Sequence, residues 1–431
     1  MLFRKIDIVD ENFRYLPSQW VGTEGSRITY ISSEKPQDSN RFGEVYDGNG
    51  KLLMPALYNA HAHAAMTLLR GYAENLPLQS WLNDSVWPFE AKMTPEDNYW
   101  ATLLACAEMA RYGTVSFSDM YYAMDERIAA VNEAHMKTNI CEGLIAFEEK
   151  PYADYPICAD NEQWVKKYHL SSEGRIRVDY NIHAEYTSNP QTCADIAKIA
   201  KDKGLRIHMH VSETKAEHEE CKERHHGMTP FQYFESLGVL DVPVTAAHCV
   251  WVDDNDLEII KNHHVFVAAN PASNMKLGSG FAPIPKMLDE GISVCLGTDG
   301  VASNNNHDMF QDMYLLASIY KGFTHDPSVI SPTQVLQATS RMGALSQGRE
   351  DCGLIQVGAK ADLCVLDTTG PSFCPATDPI CNVVFAGHGS DVVLTLCDGH
   401  VTYRDGDWPD IDLEKVKGEV SARTQRIISS L

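Results

Sequence analysis

His61 and His63 stand two residues apart in the run LYNAHAHA (57–64). On an extended strand that spacing turns both imidazoles to one face, where they can grip a single cation. RIHMHVSE (206–213) carries His210 with Glu213 three residues on, VTAAHCV (244–250) carries His248, and SVCLGTD (293–299) ends on Asp299. His61, His63, His210 and Asp299 supply the donors of one divalent ion with room for water; zinc is expected, with iron the alternative. His208 shares a strand face with His210, but Glu213 follows His210, so His210 is the preferred ligand. No lysine ends the fourth or fifth apolar run, so a lysine-bridged second metal is not expected. A divalent ion lowers the pKa of a water from about 15.7 to roughly 7. Asp299 is then placed to accept the water's proton, Glu213 to pass a proton to a substrate nitrogen, and His248 to orient the attacking oxygen.

Side chains so far apart in sequence need a scaffold that brings strand ends together. Eight short apolar runs each end in polar residues: 57–64, 114–120, 139–145, 177–184, 206–213, 244–250, 265–271 and 293–299. Amphipathic stretches lie between them. Trp100, Leu103, Leu104, Ala107 and Ala110 give the stripe of a helix covering a sheet. Asn189-Pro190 opens a helix over 191–203 that Gly204 closes, and further helices are expected near 308–321 and at 332–345. Alternation of this kind predicts a parallel (β/α)₈ barrel over 55–354, with its site at the C-terminal strand ends. Residues 1–54 and 355–431 read as short β-segments, with Asp398-Gly399 as a hairpin signal and a helix at the C-terminus. The two ends are expected to pair into one small β-sandwich.

The chain has 431 residues, with 59 acidic against 36 basic side chains and a formal charge of −23. That balance argues against nucleic acid and anionic lipid as partners. No run of about 18 apolar residues is present, and MLFRKIDIVDENF lacks the pattern of a signal peptide. The twelve cysteines show no paired spacing and are expected to be reduced thiols in a cytoplasmic protein.

PALYNAHAHAAMTLLRG (55–71), HVSET (210–214), AAHCVWV (246–252), NPASNMKLGSG (270–280) and LGTDGVASNNN (296–306) together resemble the amidohydrolase superfamily. Within it they are similar to the methylthioadenosine/S-adenosylhomocysteine deaminases and their chlorohydrolase-like relatives. The resemblance covers nearly the whole chain. It implies a TIM barrel of the metal-dependent hydrolase type, His61, His63, His210 and Asp299 as ligands, and Glu213 and His248 as catalytic residues. It further implies Glu90 as the carboxylate holding ribose hydroxyls, and His183 and Ser303 as walls of a nucleoside pocket. The implied reaction is hydrolysis of the 6-amino group of an adenine nucleoside, in a homo-oligomer. Relatives that take S-adenosylhomocysteine place arginines in and after the third strand, whereas this chain has Glu142, Glu148 and Glu149 there, and Lys150 as the one candidate point charge. Neutral nucleosides (methylthioadenosine, 5′-deoxyadenosine, adenosine) are therefore expected first. The alternatives are a free-base deaminase (guanine, cytosine or pterin) or triazine-type hydrolase, and a non-catalytic scaffold.

Overall fold

The computed structural model describes residues 1–431. All eight apolar runs form strands, and sequential neighbours pair in parallel. They are Leu57–Ala62, Thr114–Tyr121, Lys137–Glu142, a divided fourth run, Ile207–Val211, Val244–His248, Phe266–Ala269 and Ser293–Leu296. The fourth run divides at Asp179. Ile176–Val178 pairs with the third strand and Tyr180–Ile182 with the fifth. The Asp179 N–H is spent on the Ile140 carbonyl at 3.0 Å and the Tyr180 N–H on Arg206 at 2.8 Å, so the chain crosses here between a four-stranded and a five-stranded sheet. At the opposite seam the Asp299 N–H donates to the His61 carbonyl at 2.9 Å. Asn59 brackets Thr298 there, accepting from its N–H at 3.0 Å and donating to its hydroxyl at 2.7 Å. This is a TIM-barrel-like α/β fold.

Local signals set the helices. Thr94 and Asp97 form a capping box at Pro95–Arg111, and that helix buries Ala101, Ala105 and Ala110. Asn189 caps Pro190–Lys203, which ends at Gly204 with φ 65°. The stretch expected as one helix from 332 runs Pro332–Gln337, a π turn at Ala338–Met342, and Gly343–Ser346.

Both chain ends do build one β-region, but its hydrogen bonding makes a single eight-stranded sheet where two facing sheets were expected. Lys51–Pro55 is the join, parallel to Leu2–Val9 and antiparallel to Leu363–Asp367. Because it is flanked on both edges, the amino- and carboxy-terminal strands merge into one ladder. The hairpin signal holds: Asp398 and Gly399 both adopt positive φ between Val392–Cys397 and His400–Arg404. Helix Leu413–Ile428 closes the chain, and no helix is long and apolar enough to cross a membrane.

A buried charge cluster ties this sheet to the barrel. Lys137, which opens the third strand, is held between Asp362 and Asp398, and the Tyr58 hydroxyl donates to Asp362. The cluster lies at the amino-terminal strand ends, away from the polar ends, which marks it as structural. Lys137→Met leaves buried Asp362 without its cation, while Asp398 keeps Lys360 at 3.2 Å, so a loss of about 3–5 kcal/mol is expected. Urea unfolding checks it, and an unchanged midpoint would refute the assignment.

Candidate metal and active site

The carboxyl ends of the strands surround one cavity. His63, Glu90, His183, His210, Glu213, His248, Asp299 and Ser303 all line it, and His61 lies fully buried behind His63. All nine expected site residues therefore come together in one place.

The imidazoles are held by their outer nitrogens. His63 Nδ1 donates to the Met120 carbonyl at 2.6 Å and His210 Nδ1 to the His183 carbonyl at 2.7 Å. A carbonyl only accepts, so in the neutral rings both Nε2 atoms are bare, and they face each other at 3.3 Å. Asp299 Oδ1 lies 3.2 Å from His63 Nε2 and 3.4 Å from His61 Nε2. The ligand atoms of His61, His63 and His210 lie within 4.8 Å of one another, as do those of His61, His248 and Asp299. His61 Nε2 is buried and has no hydrogen-bond partner. An unsatisfied nitrogen among converging bare nitrogens fits a divalent cation.

The electrostatics agree. Burial disfavours a charged His63, but the adjoining Asp299 carboxylate outweighs it and pushes that imidazole up to about 9. Burial wins at His61, which falls to about 4. Asp299 stays well below the usual carboxylate range despite burial, because the His61 and His63 imidazoles adjoin it. Asp299 thus demands a positive charge among these rings. Its φ is 62° and that of His248 is 75°. These are strained values for side-chain-bearing residues, and they turn both groups inward at the strand ends.

The proton-handling groups sit beside this cluster. His248 Nε2 is 3.9 Å from Glu213 Oε2, and its Nδ1 bonds Asn274 Oδ1 at 2.8 Å. Glu213 accepts from the Ser279 hydroxyl at 3.3 Å, and burial raises its pKa. Glu217 accepts the N–H groups of Ser212 and Glu213 at 2.8 and 2.7 Å, fixing the turn that carries Glu213.

Leu78, Trp81, Leu82, Val86, Trp87 and Glu90 form the wall facing these groups. They come from one segment, Leu78–Glu90, with a π turn at Leu82–Val86 whose wider winding returns Val86 and Glu90 to the face of Leu78. The Tyr121 hydroxyl donates to Glu90 Oε1 at 2.6 Å, leaving Oε2 without a protein partner. Burial pushes Glu90 up to about 7. His183 Nδ1 is 2.9 Å from Thr187 Oγ1, which itself donates to the Ala184 carbonyl, so His183 turns an acceptor Nε2 outward. The Ser303 hydroxyl is engaged with Asp299 Oδ2 at 3.1 Å and Ser273 at 2.9 Å, so Ser303 orients Asp299 as well as lining the cavity.

Two sequence expectations change here. Glu142 accepts from Ala123 N–H and Arg127 and does not line the cavity, and Glu148 is exposed and paired with Lys150 at 2.8 Å. Gly143 is the part of that segment lining the cavity. The third-strand acids therefore repel nothing in the site; the pertinent observation is that no lysine or arginine lines it. His208, set aside as a competing ligand, makes a bond instead: its Nε2 is 2.8 Å from His61 Nδ1. Tyr121, Ser273, Asn274, Ser279 and Glu217 were not foreseen. Ser273, Asn274 and Ser279 lie inside the NPASNMKLGSG motif, where a run of side-chain donors and acceptors between two glycine-bounded turns was the available signal.

A model described as the amidohydrolase family matches residues 52–402. A 5-methylthioadenosine/S-adenosylhomocysteine deaminase of Dictyoglomus thermophilum is 40% identical over 403 residues, covering 93% of each chain. A 5′-deoxyadenosine deaminase of Methanothermobacter thermautotrophicus is 41% identical over 387 residues, covering 89% of each. Among solved structures, an adenosine deaminase from Xanthomonas campestris with bound zinc superposes with a TM-score of 0.92 at 26% identity, over 99% of this chain and 98% of that one. An atrazine chlorohydrolase from Arthrobacter aurescens shares the fold, with a TM-score of 0.90 at 21% identity, over 98% and 99%.

Proposed function

The chain belongs to the amidohydrolase family, and from that premise we propose that it is a mononuclear, zinc-dependent aminohydrolase of adenine nucleosides. The observation that carries the metal part is the unsatisfied, buried His61 Nε2 beside the bare Nε2 atoms of His63 and His210. Relatives about 40% identical over most of the chain are named as deaminases of adenine nucleosides, which supports the substrate class.

In this reading His61, His63, His210 and Asp299 hold the ion. A divalent cation held there would make a water acidic enough to be deprotonated near neutral pH. Asp299 takes that water's proton. His248, braced by Asn274, orients the oxygen toward C6. Glu213, whose pKa burial raises, donates a proton to the adjacent ring nitrogen. The 6-amino group leaves as ammonia after receiving the proton carried by Asp299, the proton of the added hydroxyl returns to Glu213 as the C6 carbonyl forms, and the product is the inosine analogue. Glu90 accepts both ribose hydroxyls, which suits a carboxylate with one oxygen free and the other only singly engaged. His183 Nε2 faces the nucleoside.

Glu90 supplies two tests. Glu90→Ala is expected to cut kcat/KM for ribonucleosides by a factor of about 10–100, as for losing a charge-assisted bond worth roughly 1.5–3 kcal/mol. Unchanged kcat/KM would remove the ribose assignment and favour a free base. The second test is pH. With its pKa raised to about 7, Glu90 loses its charge as pH falls through that value. KM for nucleosides should therefore rise below about pH 7 in the native protein, and Glu90→Gln should flatten that limb. A native KM constant across the interval would contradict it.

The finer fold reading also belongs here. The two parallel sheets form one closed (β/α)₈ barrel over 55–354, supported by the strand shared at Asp179 and the Asp299–His61 backbone bond, with 1–54 and 355–431 as one β-domain. A cytoplasmic setting is supported by twelve unpaired cysteines, nine of them buried. Homo-oligomerisation remains part of the reading and is checked by light scattering.

A further inference from the structure

Two rungs of histidines link the first and fifth strands. The upper rung is His63 with His210, Nε2 to Nε2 at 3.3 Å. The lower is His61 with His208, Nδ1 to Nε2 at 2.8 Å, the rings stacked at 25°. Each strand contributes residues two apart, so both rungs point into the barrel, one above the other.

The rungs differ in what fixes the proton. Both upper imidazoles have Nδ1 on a backbone carbonyl, and in the neutral rings this determines that their Nε2 atoms are bare. His61 has no carbonyl at Nδ1. A neutral imidazole carries one proton, so His61 offers a bare Nε2 only when Nδ1 holds that proton and finds an acceptor. The atom in place is His208 Nε2. Deeper in the barrel the carbonyls of neighbouring strands run along the sheet into ladder bonds, and reaching across the interior takes a side chain.

We propose that His208 is a positioning residue for the metal centre: its bare Nε2 accepts the His61 Nδ1 proton and so fixes the orientation and metal-binding tautomer of His61. His208 does not line the cavity and is absent from both clusters of converging ligand atoms around His61, so it acts through His61 and not as a ligand. Outer partners of this kind are normally carboxylates or carbonyls, and their loss costs about 10–100-fold in metal affinity. The inference rests on the reading of His61 as a ligand.

The test compares His208→Leu with His208→Gln. Gln presents an acceptor oxygen; Leu presents none. Zinc affinity is measured by chelator competition on metal-stripped, reloaded protein, alongside thermal melting of the stripped forms. The expected result is a loss of about 10–100-fold in affinity for the Leu variant and near-native affinity for the Gln variant. Native affinity in the Leu variant, or equal loss in both, overturns the proposal. Where the Leu variant does not fold, ¹⁵N spectra of histidine-labelled, zinc-loaded native protein decide: the proposal requires His61 protonated at Nδ1, and a bare Nδ1 overturns it. Native protein that retains no zinc fails the metal reading itself, an outcome distinct from unchanged affinity in the Leu variant.

Discussion

Glu213→Gln is expected to keep a full complement of metal while losing on the order of 10²–10⁴ in kcat, the usual range for a lost general acid or base. That is about 3–5 kcal/mol of transition-state stabilisation. The substitution preserves shape, so the Ser279 hydroxyl keeps a partner and Glu217 keeps its grip on the backbone of residues 212 and 213. What disappears is an ionisable carboxyl, whose pKa burial raises. In the proposed reading Glu213, three residues beyond His210, serves the proton path without ligating. Metal content by elemental analysis and single-turnover rates on methylthioadenosine separate the two roles. A near-native rate would remove Glu213 from the chemistry, and loss of metal would make it a ligand or a support of one.

His63→Ala is expected to lose metal and activity together. Its Nε2 sits between His210 Nε2 at 3.3 Å and Asp299 Oδ1 at 3.2 Å, so its removal opens the middle of the ligand set. Asp299 is then a buried carboxylate deprived of one of its two imidazole partners. Without the cation a water's pKa returns from roughly 7 toward about 15.7, so the rate should fall by several orders of magnitude. Far-ultraviolet circular dichroism should remain native, because His63 lies just beyond the first strand and its backbone ladder does not depend on the ring. A metallated, active His63→Ala protein would disprove the ligand set.

Much of this arrangement was legible in the sequence. Apolar runs that end in His, Glu or Asp announce strand ends in a parallel barrel, and all eight form strands. Period-two spacing correctly put His61 beside His63. The same logic put His208 beside His210 without saying which ring meets a cation, because that depends on depth along the barrel axis. The single terminal sheet was hidden for a similar reason: pairing between Lys51–Pro55 and Leu363–Asp367 joins residues some three hundred positions apart. Charge was misread at Glu142, since nothing local to the third strand tells that Arg127 comes back to pair with it. Tyr121 behind Glu90 was invisible too, as it lies one residue past the 114–120 run, at the end of its strand, and meets the carboxylate through the Leu78–Glu90 segment.

The most direct test of the central claim is ammonia release by zinc-loaded protein presented separately with adenosine, methylthioadenosine, 5′-deoxyadenosine, S-adenosylhomocysteine, guanine and cytosine. The account predicts one ammonia and one inosine analogue per adenine nucleoside consumed. It also predicts higher kcat/KM for the three neutral nucleosides than for S-adenosylhomocysteine, because no lysine or arginine lines the cavity to meet a charged tail. Ammonia from guanine or cytosine alone, or none from any nucleoside at full metal occupancy, would contradict it.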